Sequence, residues 1–297
     1  MSIIELKEVT KYYGKWRGIE NLNLSVKEGD IFGFIGPNGA GKSTTIRILM
    51  NFIFPSSGEV KMLGKDVTKY SEELKKNIGY MPSDVSFYRT LKVKDLLNYS
   101  YKLHNVKDKN RIKDIANVFD LDLNKRFEDL SLGNKKKVSI VQALLHSPKI
   151  LILDEPTGGL DPLVQKTFFE YLKLENDKGV TIFFSSHTLS EVQKMCKNVG
   201  IIKDGKIIQV ENIQSIRNKQ LKKVYIESSN NLNKDIFLGS CFKNVEVKDN
   251  TSEFYYKGDI NRLINILSQI NLRHFSIQEP ELEEVFLHYY SSTGSEK

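Results

Sequence analysis

The sequence predicts an α/β fold in which a parallel sheet carries the functional residues, followed by a small α+β domain. Two continuous apolar runs, KILILDE and VTIFFSSH, are typical of parallel strands that are buried on both faces. A third strand, DIFGFIG, runs directly into a glycine cluster and a helical stretch, which is the strand–turn–helix order of an α/β unit. Alternating strand patterns end the chain and favour a separate domain.

Short β-rich segments, IIELKEVTKYYG and IENLNLSV, are predicted to open the chain as strands that precede the glycine cluster. Between Thr90 and Pro148 apolar residues recur with helical spacing. This spacing predicts a helical insert at about residues 84–147. The sequence GIIKDGKIIQV predicts a hairpin whose two-residue turn is Asp204 and Gly205.

A change in composition near Ile216 predicts two domains, 1–215 and 216–297. After it, KVYIES, FKNVEV and SEFYYKG are predicted strands, and HFSIQ and a last helix through Tyr290 complete the domain. One predicted helix precedes HFSIQ. Its apolar face is predicted to comprise Ile260, Leu263, Ile264, Leu267 and Ile270. Because this domain has no catalytic pattern, we expect it to serve regulation, dimer support or partner contact.

The charge balance limits the classes of partner. The chain has 297 residues, with 44 Lys and Arg against 37 Asp and Glu, a net charge of +7. The excess belongs to the first domain, because the 33 basic residues before Ile216 outnumber 26 acidic ones, whereas the rest has 11 of each. Such a balance suits polyphosphate ligands, anionic membrane surfaces or nucleic acid, and does not choose among them.

The cysteine content favours a reducing compartment, and the apolar pattern argues against a membrane-spanning segment. Cys196 and Cys241 lie far apart and outside any CxxC pattern, so we expect both to be free thiols. The start of the chain, MSIIELKEV, lacks a signal-peptide pattern, and the apolar runs are shorter than a membrane span requires. A membrane role is therefore expected to come through a partner.

The glycine cluster GPNGAGKST matches the pattern GxxxxGK followed by Ser or Thr, directly after a strand and at the start of a helix. In such a loop, backbone N–H groups surround phosphates, Lys42 supplies a positive charge and the Ser43 hydroxyl can bind Mg²⁺. A glycine turn without a ligand is the alternative. The candidate binding residues are Gly36, Asn38, Gly39, Ala40, Gly41, Lys42, Ser43 and Thr44.

Acidic residues and a histidine follow the two apolar strands. Asp154 and Glu155 end the strand in ILILDEP, at the sheet edge where ligands of open α/β folds bind. Paired acids there are often only solvated. After a phosphate loop, however, we expect Asp154 to belong to the metal shell and Glu155 to accept a proton from an attacking water. His187 follows the next buried strand, which favours a catalytic role over that of an ordinary histidine at a helix start.

The stretch LSLGNKKK places a serine and a glycine just before three lysines at a predicted helix start. Because the helix dipole disfavours cations in the first turn by about a few tenths of a kcal/mol each, we expect an interaction that compensates for this cost. Free N–H groups reached through glycine and flanked by cations form an anion site. A solvated basic face is the alternative, and this stretch alone leaves both interpretations open.

The order of these motifs resembles the ATP-binding cassette of ABC transporters, from Ile3 to about Val210. The matching features are the phosphate loop, the helical insert, LSLGN, ILILDEP, GGLDP and SSH. The resemblance implies that Tyr13, just before Gly14, stacks on adenine. Stacking of a base on an aromatic ring contributes about 1 to 3 kcal/mol. A buried strand aromatic is the alternative for Tyr13.

The resemblance also implies a dimer. Ser131 and Gly133, with Asn134, are expected to bind the γ-phosphate held by the opposite subunit, so that two cassettes face head to tail and enclose two ATP molecules. Leu160 and Asp161 match the loop that passes information across this dimer. Among the lysines, Lys137 falls where the family often has Arg, whereas Lys135 and Lys136 are expected to be solvated.

Three features depart from the family pattern or narrow it. The signature reads LSLGN where LSGGQ is commonest, so Leu132 and Asn134 are variant. Ser83 stands where the family usually has a glutamine that touches Mg²⁺ or water, and we expect it to support coupling more than chemistry. The metal candidates are Ser43, Asp154 and Ser83. The tail PELEEVFLHYY resembles the exporter branch with separate permease chains, although an amphipathic helix explains it nearly as well.

The resemblance implies an ATP-hydrolysing subunit that uses ATP and Mg²⁺ and drives a membrane transporter, an exporter of drug, peptide or lipid type. Its partners would be an integral membrane permease and a second cassette, at the cytoplasmic face of the membrane. One alternative is a soluble ABC ATPase acting on nucleic acid or ribosomes; the single compact cassette disfavours it, and no nucleic acid is expected. The other is an ATP-binding regulatory protein with weak hydrolysis, which Glu155 and His187 disfavour.

Overall fold

The computed structural model describes residues 1–218 and 222–278, so the predicted last helix through Tyr290 lies outside the described residues. The chain forms two compact units, Met1–Ile213 and Gln214–Lys297. Within the described residues, no helix is both long enough and apolar enough to cross a membrane.

The first unit contains two sheets and the helices around them. Its strands are β1 (Ser2–Tyr13), β2 (Trp16–Lys27), β3 (Ile31–Ile35), β4 (Ser57–Met62), β5 (Lys65–Asp66), β6 (Ile78–Met81), β7 (Ile150–Asp154), β8 (Thr181–Ser186), β9 (Asn198–Lys203) and β10 (Lys206–Asn212). Its helices are α1 (Lys42–Leu49), α2 (Ser71–Lys75), α3 (Val93–Leu103), α4 (Arg111–Val118), α5 (Leu132–Leu144), α6 (Pro162–Asp177) and α7 (Leu189–Met195). A further helix, α8 (Ile213–Asn218), follows β10.

The larger sheet has the order β10-β9-β3-β8-β7-β6. Its strands pair in parallel from β9 to β6, and β10 pairs antiparallel with β9. Every residue of β3, β7 and β8 is buried, as expected for parallel strands that are covered on both faces. These three neighbouring strands are parallel, so the segments that follow them lie at the same edge of the sheet. The segment after β3 is the phosphate loop, the one after β7 begins with Glu155, and the one after β8 begins with His187.

The smaller sheet, of order β2-β1-β4-β5, is antiparallel and shares a hydrophobic core with the larger one. Side chains of both sheets and of α1 meet in this core, for example Ile4, Ile46, Phe34 and Ile152. Burying an aliphatic or aromatic side chain of this size contributes about 1.5 to 3 kcal/mol. The core therefore holds α1, and with it the glycine loop, against both sheets.

Two local predictions are confirmed by the structure. Asp204 and Gly205 form the two-residue turn between β9 and β10, and both have positive φ, 48° and 74°, as a hairpin turn of this length requires. Helices α3, α4 and α5 lie between β6 and β7, where helical spacing predicts them. Their buried apolar residues include Val93, Leu97 and Val138.

The second unit is an antiparallel sheet with a helix, as the predicted α+β pattern requires. It contains β11 (Lys222–Ser228), a short 3₁₀ turn (Lys234–Phe237), β12 (Phe242–Lys248), β13 (Thr251–Tyr256), α9 (Ile260–Leu267) and β14 (Leu272–Gln278). The described strands have the order β12-β13-β11-β14. The core contains Val224, Ile226, Phe237, Phe254, Tyr256, Leu263 and Leu267.

The predicted apolar face of α9 is wrong in part. Leu263 and Leu267 are buried, but Ile260 is 41% exposed and Ile264 is 49% exposed. Ile270 lies beyond the end of α9, although it packs against the core. The helix is short, and its apolar arc is wider than the stripe that the sheet covers, so residues at the margin of the arc remain in solvent.

Candidate active site

The glycine loop joins β3 to α1 with the geometry of an anion site. Gly41 is the N-cap of α1 with a φ of 109°, so no side chain caps the helix and its first N–H groups point into the loop. A Cβ at Gly41 would lie 2.9 Å from the Gly18 carbonyl oxygen and 2.7 Å from Ile19 Cγ2. Only glycine fits there. The loop's outer residues, Pro37 to Gly39, are exposed and therefore accessible to a ligand.

Lys42 is buried although it carries a charge, with 5% of its surface exposed. Its Nζ donates to the Gly36 carbonyl at 2.7 Å and the Pro37 carbonyl at 3.2 Å. The same Nζ lies 3.3 Å from Glu155 Oε1. The lysine thus places its charge inside the loop, where phosphates would be held.

Glu155 holds an unusual backbone conformation directly after β7. Its φ is 45°, a left-handed conformation that costs a non-glycine residue about 1 to 2 kcal/mol. Its N–H donates to the carbonyl and to the Oγ of Ser185, both at 3.2 Å. Its carboxylate lies between two partners, because His187 Nδ1 is 3.1 Å from Oε2 while Lys42 contacts Oε1. The structure therefore brings together three predicted catalytic residues, Lys42, Glu155 and His187.

Asp154 is the buried member of the acidic pair, with 3% of its surface exposed. Ser185 Oγ donates to its Oδ1 at 2.7 Å. Burial, together with the charge of Asp154, raises the pKa of Tyr80 to about 12, so that phenol stays neutral beside the carboxylate.

The donor set suits Mg²⁺. The described residues contain no cluster of three or more His, Cys, Asp or Glu side chains that could hold a metal. Mg²⁺ in nucleotide sites does not need one, because one or two carboxylates, waters and the substrate's phosphates complete its shell. A buried carboxylate at Asp154 and a partly exposed hydroxyl at Ser43, the second residue of α1, match that requirement.

Tyr13 borders the glycine loop on the side of the smaller sheet. The ring lies close enough to Gly18 that a Cβ there would be 2.9 Å from Tyr13 Cε2 and 3.2 Å from Thr44 Cγ2. Tyr13 is 41% exposed, and Lys11 Nζ lies 5.5 Å from its ring centre. The buried-aromatic alternative is therefore wrong, and the ring is partly exposed beside the helix start.

The signature residues lie at another helix start. Ser131 is the N-cap of α5, and its Oγ accepts from the Asn134 N–H at 3.4 Å. A Cβ at Gly133 would lie 2.9 Å from the Gly159 carbonyl oxygen, so glycine allows the close approach of these two segments. Leu132 is 64% exposed. Within the described residues, no hydrogen bond or ion pair joins residues 131–134 to the glycine loop.

The expectation that Lys136 is solvated is wrong. Only 3% of the surface of Lys136 is exposed. Its Nζ donates to the carbonyls of Pro82 at 3.3 Å, Ser83 at 2.6 Å and Glu155 at 3.3 Å. Burial lowers the pKa of Lys136 from its ordinary value, while neighbouring carboxylates oppose that effect. The carbonyls replace water around the ammonium. Lys135 is half-buried, with its Nζ 5.5 Å from the ring centre of Phe127.

Sequence reasoning missed the polar residues that connect the site. Ser185 contacts both acids, as described above. Glu191 accepts from Thr157 Oγ1 and from Ser186 Oγ, both at 2.7 Å, and so links the segment after Glu155 to the segment before His187. The available signal was the pair of serines at the end of a fully buried apolar strand, because buried hydroxyls require partners.

Two other predicted residues, Asp161 and Ser83, make hydrogen bonds that involve the backbone. Asp161 is the N-cap of α6, and its Oδ1 accepts from the N–H groups of Leu163 and Val164 at 3.0 Å each. Ser83 is partly exposed in the segment after β6, and its carbonyl is the nearest partner of Lys136. The predicted roles of Asp161 in a dimer and of Ser83 in metal binding stay predictions.

Comparisons with known proteins show the family to which the chain belongs. Residues 19–158 match the family model of the ABC transporter. The bacitracin transport ATP-binding protein BcrA of Bacillus licheniformis is 33% identical over 296 residues, which covers 96% of both chains. The linearmycin resistance ATP-binding protein LnrL of Bacillus subtilis is 30% identical and covers 98% of this chain and 99% of its own.

The fold is also that of solved cassettes. A dimeric ATP-binding cassette in a post-hydrolysis state, bound to ADP and Pi, is 25% identical, with a TM-score of 0.65 over 71% of this chain and 98% of that chain. The α/β cassette fold predicted from the sequence is confirmed. The chain belongs to the ABC transporter family and is one of its ATP-binding, ATP-hydrolysing subunits.

Proposed function

We propose that two such cassettes, identical or related, enclose two ATP molecules head to tail and drive an exporter through a separate permease chain. The observation that supports a dimer is that, within one chain, the residues expected to act on one ATP molecule lie in two separate places. Lys42, Glu155 and His187 meet at one place, whereas Ser131 caps an exposed helix start that, in the described part of the chain, has no bond to the glycine loop. A second chain can supply such a helix start to the γ-phosphate.

Within one site the side chains have distinct roles. The glycine loop and Lys42 hold the phosphates through N–H groups and a charge. Lys42 then exchanges its contact with Glu155 for phosphate oxygens, which frees the carboxylate to accept a proton from water. His187, 3.1 Å from Glu155, holds that carboxylate in place. Ser43 and Asp154, with Ser83 as the third candidate, would hold Mg²⁺, which would neutralise phosphate charge. Tyr13 would stack on the base.

Adding a bulky cation at Ser131 is expected to abolish ATP-dependent dimerisation. The experiment uses a Glu155→Gln background, in which ATP should persist. The chain with Glu155→Gln alone is expected to dimerise when ATP and Mg²⁺ are added. The chain that also carries Ser131→Arg is expected to stay monomeric, because the arginine side chain blocks the contact across the dimer. Light scattering after size exclusion measures the mass. Asn117→Arg, which adds the same charge at an exposed position of α4, is the control and should dimerise. A Glu155→Gln chain that remains monomeric at saturating ATP would contradict the proposal.

Transport and resistance names among the relatives support a transporter rather than a nucleic-acid or purely regulatory ATPase.

An apolar surface, which we call the Phe52 surface, supports docking on a permease at the cytoplasmic face of the membrane. It comprises Phe52 (52% exposed), Phe54 (64% exposed) and Tyr80, whose ring centre lies 5.4 Å from that of Phe52. Tyr80 lies in β6, directly before the segment with Ser83, so docking there would reach the active site. The second unit would serve regulation, dimer support or partner contact.

Polar substitution of the Phe52 surface is expected to release the permease. Tagged full-length chain should recover an integral membrane protein from detergent-solubilised membranes of its native cells, and Phe52→Ser with Phe54→Ser should lower that recovery at least about tenfold, since buried aromatics dominate interfaces. ATP affinity should stay unchanged. Leu174→Ser, at a 58% exposed leucine of α6, is the control. A parent chain that recovers no membrane protein would contradict the transporter role.

A further inference from the structure

Lys136 is held by a matched set of acceptors deep in the first unit. Among the described residues, it and Lys42 are the two buried lysines. An ammonium has three N–H donors and no acceptor, and Lys136 Nζ has three carbonyl partners, those of Pro82, Ser83 and Glu155. A charge buried in this way is tolerated because its hydrogen bonds replace those of water.

The three carbonyls belong to two separate segments, one directly after β6 and one directly after β7. Pro82 and Ser83 follow β6, at the place where the family usually has its glutamine. The third carbonyl belongs to Glu155, whose backbone is in the left-handed region. Ser185 holds the N–H of Glu155 and Lys136 holds its carbonyl, so both polar groups of this strained residue are fixed.

We propose that Lys136 is a positioning residue for ATP hydrolysis, whose ammonium joins the Ser83 segment to the Glu155 backbone and so fixes the carboxylate that accepts the proton. Asp84, Asp154 and Glu155 supply negative charge around it. Lys136 lies on α5, which begins at the Ser131 cap. The signature helix, the Ser83 segment and the proton acceptor are thereby connected through one side chain. This inference rests on the role of Glu155 proposed above.

The test compares three variants of the full-length chain. Lys136→Met keeps the length and removes the donors, Lys136→Arg keeps charge and donors, and Lys137→Met is the matched control. Lys137 is the next residue of α5, with one carbonyl, that of Asp120, at 3.5 Å. ATP affinity is measured by calorimetry, kcat and KM by phosphate release, and folding by circular dichroism.

Lys136→Met is expected to lower kcat by about tenfold to a hundredfold, because small displacements of a catalytic group have effects of this size, with KM and ATP affinity within about threefold. Lys136→Arg should restore kcat to within about threefold of the parent, and Lys137→Met should stay within about twofold. If Lys136→Met does not fold, Lys136→Gln, which keeps two N–H donors, takes its place with the same expected split between kcat and KM.

Two outcomes separate this inference from the proposal beneath it. A folded Lys136→Met with a kcat within twofold of the parent, or one that loses ATP affinity and kcat equally, overturns the positioning role. If Glu155→Gln turns over ATP as the parent does, the assigned role of Glu155 fails instead. Normal turnover in Lys136→Met combined with an inactive Glu155→Gln would therefore reject only the inference about Lys136.

Discussion

Replacing Glu155 with glutamine is expected to lower the rate of ATP hydrolysis by about 10² to 10⁴ at saturating ATP, because an amide cannot accept the proton of the attacking water. Glutamine keeps the shape of the side chain. It also removes the ion pair with Lys42, at 3.3 Å, that competes with phosphate for that lysine. ATP affinity should therefore stay equal to that of the parent or increase.

Phosphate release and calorimetry, measured on the same preparation, separate these two effects. Glu170→Gln is the control, because Glu170 is an exposed carboxylate of α6 whose contact with Lys166 is 4.0 Å long. It should leave both quantities unchanged. If Glu155→Gln retains a turnover rate within about tenfold of the parent, below the range typical of a general base, another group must accept the proton.

Replacing Lys42 with alanine is expected to weaken ATP binding by about 2 to 5 kcal/mol, as for other truncations of a buried, hydrogen-bonded charge. This corresponds to a loss of affinity of roughly 30-fold or more. Lys42 is the charge inside the loop, and the variant also leaves the carbonyls of Gly36 and Pro37 without that donor. The Glu155 carboxylate would then face the phosphates without the lysine between them.

Calorimetric titration with ATP and Mg²⁺ measures this loss. Arg47→Ala is the control, since Arg47 is an exposed cation on the same helix and should leave the affinity unchanged. Binding by Lys42→Ala within about twofold of the parent would mean that the loop holds phosphate through its N–H groups alone.

Local patterns in the sequence were sufficient to predict much of the site. The phosphate loop is a run of adjacent residues between a strand and a helix, so both its chemistry and its position follow from the sequence. Asp154, Glu155 and His187 lie at the ends of two buried, mainly apolar strands, and the ends of neighbouring parallel strands lie together. The cassette motifs then predicted the family, which the relatives confirm.

The amino-acid pattern was therefore sufficient to predict the fold class, the phosphate loop and the residues at the sheet edge, since these depend on neighbours in the chain or on one topological rule. The burial of Lys136, which the sequence pattern predicts to be solvated, follows only from the three-dimensional fold. Its acceptors lie 54, 53 and 19 positions away, so no local pattern could indicate that it is buried. The same holds for Ile260 and Ile264, whose exposure depends on how far the sheet of the second unit extends beneath α9 rather than on their spacing. Burial is a property of what packs against a residue, and distant segments supply that packing.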